Sequence, residues 1–230
     1  MINPYIRWRK TWPNKMHRPL VRFMAWFELL VIDHGMFRAI YNTPEEISEG
    51  VYRSNQPSPW RLKALSEQGF KTIVSLRGRG TDGPWVLEKE ACERHGLALH
   101  SVRMKSKRPP KKEFVRELHL ILATAERPVL LHCKSGADRS GLAAAVHILT
   151  SEEGTIEQAK AHLSWKYLHS SSARTGILDA FVREYEAFNA QQPIPFMEWL
   201  EHHYEPEALR ASFKPSGFAS WVIDKVLRRE

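Results

Sequence analysis

Along the middle of this chain, apolar residues recur with two different periods. Residues 71–76, 97–102 and 129–132 look like strands, and 128–131 reads as a short buried one. Residues 58–68, 85–95, 112–125, 138–151, 156–164 and 176–188 place apolar side chains at helical spacing. Strands and helices in turn predict an α/β fold, a mixed sheet covered by helices. No internal repeat or low-complexity tract interrupts the pattern.

The patterned region, residues 47–190, has a common size for one domain. It leaves an N-terminal extension, 1–46, and a C-terminal helical extension, 191–230. Residues 5–12 mix Tyr5, Trp8 and Trp12 with Arg7, Arg9 and Lys10, as interfacial segments do. Residues 19–32 are strongly apolar, but Arg22 and Glu28, with Asp33 just beyond, argue against a spanning helix. No small-residue cleavage site follows, as a signal peptide would need. An amphipathic helix is expected instead, either lying on a membrane or docked on the domain. Residues 218–229 form a second apolar and basic segment with the same two alternatives.

Two cysteines, Cys92 and Cys133, exclude a disulfide-stapled scaffold and point to a reducing compartment. A cytoplasmic location is therefore expected, peripheral at the inner membrane surface if the terminal helices meet lipid. Cys92, within residues 85–95, reads as core packing rather than as a redox partner of Cys133. The eleven histidines are scattered without ligand spacing, so no metal and no organic cofactor is expected.

The candidate chemistry lies between the run at 129–132 and the helix that follows. His132-Cys133-Lys134-Ser135-Gly136-Ala137-Asp138-Arg139-Ser140-Gly141 joins a strand to a helix N-terminus through a glycine-containing loop, an arrangement that cradles anions. A thiol there, beside a guanidinium, ionises well below its usual pKa of about 8.5. Arg139 supplies a planar fork for two phosphoryl oxygens. Lys134, Ser135, Gly136 and Ala137 would surround the bound group. Ser140 is positioned to hydrogen-bond the sulfur, and His132 is expected to orient the loop rather than act as a base.

His-Cys-x5-Arg-Ser after a strand resembles the signature of the cysteine-dependent protein tyrosine and dual-specificity phosphatase superfamily. Val51-Tyr52-Arg53-Ser54-Asn55-Gln56-Pro57 and Gly69-Phe70-Lys71-Thr72-Ile73-Val74-Ser75-Leu76-Arg77 resemble the opening of its compact bacterial members. The resemblance covers roughly residues 50–170. It implies a phosphatase fold with a central, mostly parallel sheet flanked by helices, and a thiophosphoryl-enzyme intermediate on Cys133. It also implies a general acid on a loop, here residues 101–110, where no carboxylate stands. Asp138, beside Arg139, is the first substitute, as in myotubularin-like and Sac-like enzymes. Asp82, on the loop after residues 71–76, is the second. Each has an ordinary structural alternative, a helix cap for Asp138 and a turn for Asp82.

The formal charge is +8, with 34 Lys and Arg against 26 Asp and Glu. Arg103, Lys105, Lys107, Arg108, Lys111 and Lys112 crowd one loop, and Arg77 and Arg79 follow a predicted strand. By analogy with the family this charge flanks the pocket and attracts polyanions. No nucleic-acid module accompanies it. The expected partner is a phosphorylated substrate: a phosphoprotein, or an anionic phospholipid or inositol phosphate, with peripheral contact to an anionic membrane as one option. The expected function is a cysteine-dependent phosphomonoesterase. Alternatives are a lipid or inositol phosphate phosphatase and a non-catalytic phosphate-binding module.

Overall fold

The computed structural model describes residues 3–41 and 43–215. Five strands form one sheet in the order β1-β2-β5-β3-β4: β1 (Glu45–Ser48), β2 (Val51–Asn55), β3 (Thr72–Ser75), β4 (Ala98–Ser101) and β5 (Val129–Cys133). β1 is antiparallel to β2; all other pairings are parallel. β5 sits at the centre because its apolar residues suit burial on both faces. Val129, Leu131 and Cys133 join the larger core cluster, and Leu130 joins the smaller one on the opposite face.

Helices α4 (Pro59–Glu67) and α5 (Gly83–Arg94) cover the smaller cluster. α6 (Lys112–Thr124), α7 (Asp138–Leu149), α8 (Ile156–Ala161) and α9 (Ile177–Gln191) cover the larger. The helix expected over 156–164 ends three residues early. Residues 165–167 form a separate 3-10 turn, followed by Leu168 in the left-handed conformation. α9 continues three residues past the expected 188. α10 (Phe196–His202) and α11 (Pro206–Ser212) then deliver Phe196, Trp199, Leu200 and Leu209 into the same core. β1 and β2 were not among the expected strands. Their residues are largely polar, and β2 buries Arg53, Ser54 and Asn55.

At the N-terminus lie α1 (Pro4–Arg9), α2 (Pro19–Phe27) with a π-helical turn over residues 28–32, and α3 (Gly35–Ile40). α2 and the π-helical turn dock on α5: Val21, Ala25 and Leu29 pack with its Val86 and Leu87. Gly83 allows the approach, since a Cβ there would lie 2.2 Å from the Ala25 carbonyl oxygen. Among the described residues, no helix is long and apolar enough to cross a membrane. The segment 218–229 lies outside the described residues.

Candidate active site

β5 ends on Cys133 and α7 begins at Asp138, so the intervening residues must turn sharply. Gly136 makes that turn at φ +76°, where a Cβ would meet the Asn55 backbone nitrogen at 2.8 Å. Arg53 braces the turn from within the core. Its Nη2 donates to the carbonyls of Gly136 at 2.8 Å and Ala137 at 3.1 Å, and its Nη1 donates to His162 O at 2.9 Å. The guanidinium lies 3.8 Å from the Tyr167 ring centroid. Burial and the adjacent Arg53 lower His162 to about 4, so its ring is neutral beside that cation.

Cys133 is buried beneath this loop. Burial alone would raise its thiol, but the Arg139 charge and hydrogen bonds from the Ser140 hydroxyl and backbone outweigh it. The net shift is downward, toward thiolate. Ser140 Oγ lies 3.6 Å from the sulfur. His132 is fully buried and its Nε2 contacts the Glu88 carboxylate, which also accepts from Gln56 Nε2 at 2.9 Å. His132 is thus held in the core against Glu88.

A cleft of about 940 Å³ opens at the end of the sheet where the parallel strands carry their carboxyl termini. Lys134 and Arg139 of the signature loop line it, as do Arg77, Arg79 and Arg103. Arg9 and Lys10 of the N-terminal extension complete the cationic wall. Of the basic loop at 103–112, only Arg103 reaches this cleft. Lys105, Arg108 and Lys111 line a separate pocket of about 100 Å³ against Pro206 and Glu207, and Lys112 pairs with Glu205. The expectation that the whole loop flanks the pocket is corrected: α11 and its approach take up part of that charge.

The two candidate acids separate. Asp82 lines the cleft, where its Oδ1 also caps α5 by accepting from the Trp85 amide at 3.1 Å. Asp138 turns into the core. Its Oδ1 is 2.7 Å from His169 Nδ1, and His169 Nε2 is 2.6 Å from Asp179. Burial opposes the charge on His169, but the two carboxylates raise it to about 9. Asp138 Oδ1 thus meets His169, while of the two candidate acids Asp82 is the one on the cleft wall. Cys92 is buried among Leu62, Leu65 and Ile73, and burial pushes its thiol up, the behaviour of a core side chain.

Asp33 is the residue that the motif pattern does not reveal. At the end of the π-helical turn its carboxylate receives Arg77 at 2.7 Å, Arg38 at 2.6 Å and Lys134 at 3.3 Å. Burial opposes its ionisation, yet these cations bring it down to about 2. Arg77, expected to bind substrate, thus lines the cleft with its fork already engaged by Asp33. Glu28 likewise binds the Gly83 amide at 2.7 Å and Arg9 at 2.7 Å. The advance signal was that Glu28 interrupts an apolar run and Asp33 ends it.

The model of the PTP-NADK family, a DSP-PTPase phosphatase fused to NAD+ kinase, matches residues 34–178. Inositol diphosphatase DSP4 of Arabidopsis thaliana is 28% identical over 100 residues, 41% of this chain and 49% of that protein. Inositol diphosphatase DSP2 of Oryza sativa subsp. japonica is 28% identical over 102 residues, 42% and 48% respectively. The chain spans about half the length of these relatives. The crystal structure of P. aeruginosa TpbA superposes with a TM-score of 0.51 at 21% identity, covering 74% of this chain and 90% of that one. Kinase associated phosphatase (KAP) does so with 0.51 at 18%, covering 64% and 96%. These likenesses are of fold. With the family model spanning more than half its length, the chain belongs to the DSP-PTPase family of phosphatases.

Proposed function

We propose that this protein is a cysteine-dependent phosphomonoesterase. The observation that carries the reading is a buried thiol, lowered by Arg139 and Ser140, beneath a loop whose Lys134 and Arg139 line a strongly cationic cleft. The Cys133 thiolate attacks phosphorus, forming an S–P bond as the P–O bond to the leaving group breaks. Arg139 and the loop ahead of α7 hold the three remaining oxygens. The leaving oxygen takes its proton from Asp82, a role supported by its place on the cleft wall. Water then attacks the thiophosphate, Asp82 accepts its proton, and the S–P bond breaks with Ser140 stabilising the departing thiolate.

For substrate, the cations contributed by the strand ends and the N-terminal extension favour a multiply phosphorylated group, an inositol phosphate or phospholipid headgroup, over a single phosphotyrosine. The inositol diphosphatase relatives support the same class. The thiolate would need the reducing compartment that the free cysteines fit.

Turnover without added metal, on an aryl phosphate and on an inositol polyphosphate, tests the reading. Cys133→Ser is expected to fall to background. Asp82→Asn is expected to lose about 10²–10⁴-fold on the inositol substrate and less on the aryl phosphate, whose leaving group departs without a proton. Undiminished turnover by Cys133→Ser would remove the mechanism. A larger loss in Asp138→Asn than in Asp82→Asn would return the acid role to Asp138. Phosphate binding without turnover by wild type would make the chain a binding module.

A further inference from the structure

The N-terminal helices bury one face and leave the other bare. Along α2 and the π-helical turn, Val21, Ala25 and Leu29 meet α5, while Leu20, Phe23, Phe27 and Val31 follow a 3-4-4 spacing along the opposite side. Leu20 and Phe23 are 65% and 64% exposed, and the rings of Phe23 and Phe27 stack at 6.5 Å. α3, packed beside the π-helical turn, adds Phe37 at 65% and Ile40 at 83% exposed. An apolar face shared by two successive helices is more than the scattered exposed leucine of an ordinary surface.

The charge around this face selects its occupant. Residues 3–41 carry seven Lys and Arg against Glu28 and Asp33 alone. Both acids are turned inward, Glu28 to Arg9 and the Gly83 amide, Asp33 to Arg38, Arg77 and Lys134. Arg7, Lys10 and Arg18 stand exposed. The segment's outward charge is therefore cationic, with Arg22 alone, among the described residues, met from outside it by a carboxylate, Glu90 of α5 at 2.8 Å. A second copy would set like charge against like. An anionic bilayer offers both an apolar interior for the aromatic side chains and negative headgroups for the cations.

We infer that the exposed face of α2 and α3 is a docking surface for an anionic membrane, into whose interface Leu20, Phe23, Phe27 and Ile40 insert. The surface belongs to the segment that supplies Arg9 and Lys10 to the cleft, so docking would bring the cationic wall close to phospholipid headgroups. The inference does not depend on the catalytic reading, because insertion uses none of the residues assigned to chemistry.

Sedimentation of the full chain with vesicles of phosphatidylcholine, with and without phosphatidylglycerol, tests it. Wild type is expected to bind the mixed vesicles and to weaken as salt rises, by about fivefold for each cation that loses its headgroup. The F23S/F27S/I40S variant is expected to bind at least about tenfold more weakly. Its circular dichroism and its turnover of a soluble aryl phosphate should match wild type, since these side chains already face solvent. Cys133→Ser should bind vesicles as wild type does, even if the catalytic assignment fails. Three results would each overturn the inference. These are no binding by wild type, equal binding by the triple variant, or a dimer that the triple variant dissolves while vesicles bind neither.

Discussion

His169 holds its two ring nitrogens between Asp138 and Asp179, all of them withdrawn from the cleft. The cluster fixes the first turn of α7 to α9, and so steadies the helix that carries Arg139. Its charge is a stability statement. The pKa is raised from near 6.5 unfolded to about 9 folded, so the contribution is complete below about pH 6.5 and is lost as pH rises through 9. Denaturant unfolding is expected to show stability falling by about 3 kcal/mol across that window, with His169→Gln flattening the slope. An unchanged slope in the variant would assign the loss to other groups. Asp138 and Arg139 also show why neighbours in a motif need not share a task. Consecutive helical residues point about 100° apart, so one faces the cleft and the other the core. The partner that claims Asp138 comes from a loop thirty-one residues away, which no local pattern reveals.

Docking of α2 on α5 rests on a close approach at Gly83. In Gly83→Ala the new methyl group would overlap the Ala25 carbonyl, and helix N-terminus and α2 would have to part. A loss of about 1–3 kcal/mol is expected in thermal or denaturant unfolding. Tryptophan emission should shift to the red as Trp12, fully buried against the same helices, meets water. Retained emission and stability would show that the approach is slack. The strands β3, β4 and β5 and the helices α4 to α9 were legible because apolar residues cluster in short runs in the strands and recur along the helices. β2 was not, because a strand that buries Arg53 and Asn55 for their hydrogen bonds looks polar. Nor did the end of α8 show in the sequence, where Ser164 and the 3-10 turn redirect the chain beside Arg53.

The charge of +8 is concentrated, not spread, and much of it converges on one cleft. Raising ionic strength shortens the range of that field, to about 8 Å at physiological salt. The KM of an inositol polyphosphate is therefore expected to rise several-fold between low and high salt, while the kcat on an aryl phosphate stays within about twofold. Equal salt sensitivity for both would place the recognised charge at the signature loop alone. The loop itself could be read directly, since Cys133, Arg139 and Ser140 meet within a few residues of one another. The wall opposite could not. Arg9, Lys10 and Asp33 arrive through α1 and the π-helical turn, and only the folded chain brings them to Lys134 and Arg77.

Asp33 sets a fixed anion behind two cations of the cleft wall. Arg77 and Lys134 do not wait as mobile cations in water; a buried carboxylate already holds them in place. An arriving phosphate group must share them with that carboxylate, which weakens the attraction. It also spares the ligand the cost of freezing two long side chains, about 0.5–1.5 kcal/mol each. The cleft is consequently a mould set before casting, less adhesive than its cation count implies and more exacting about where an incoming anion must sit.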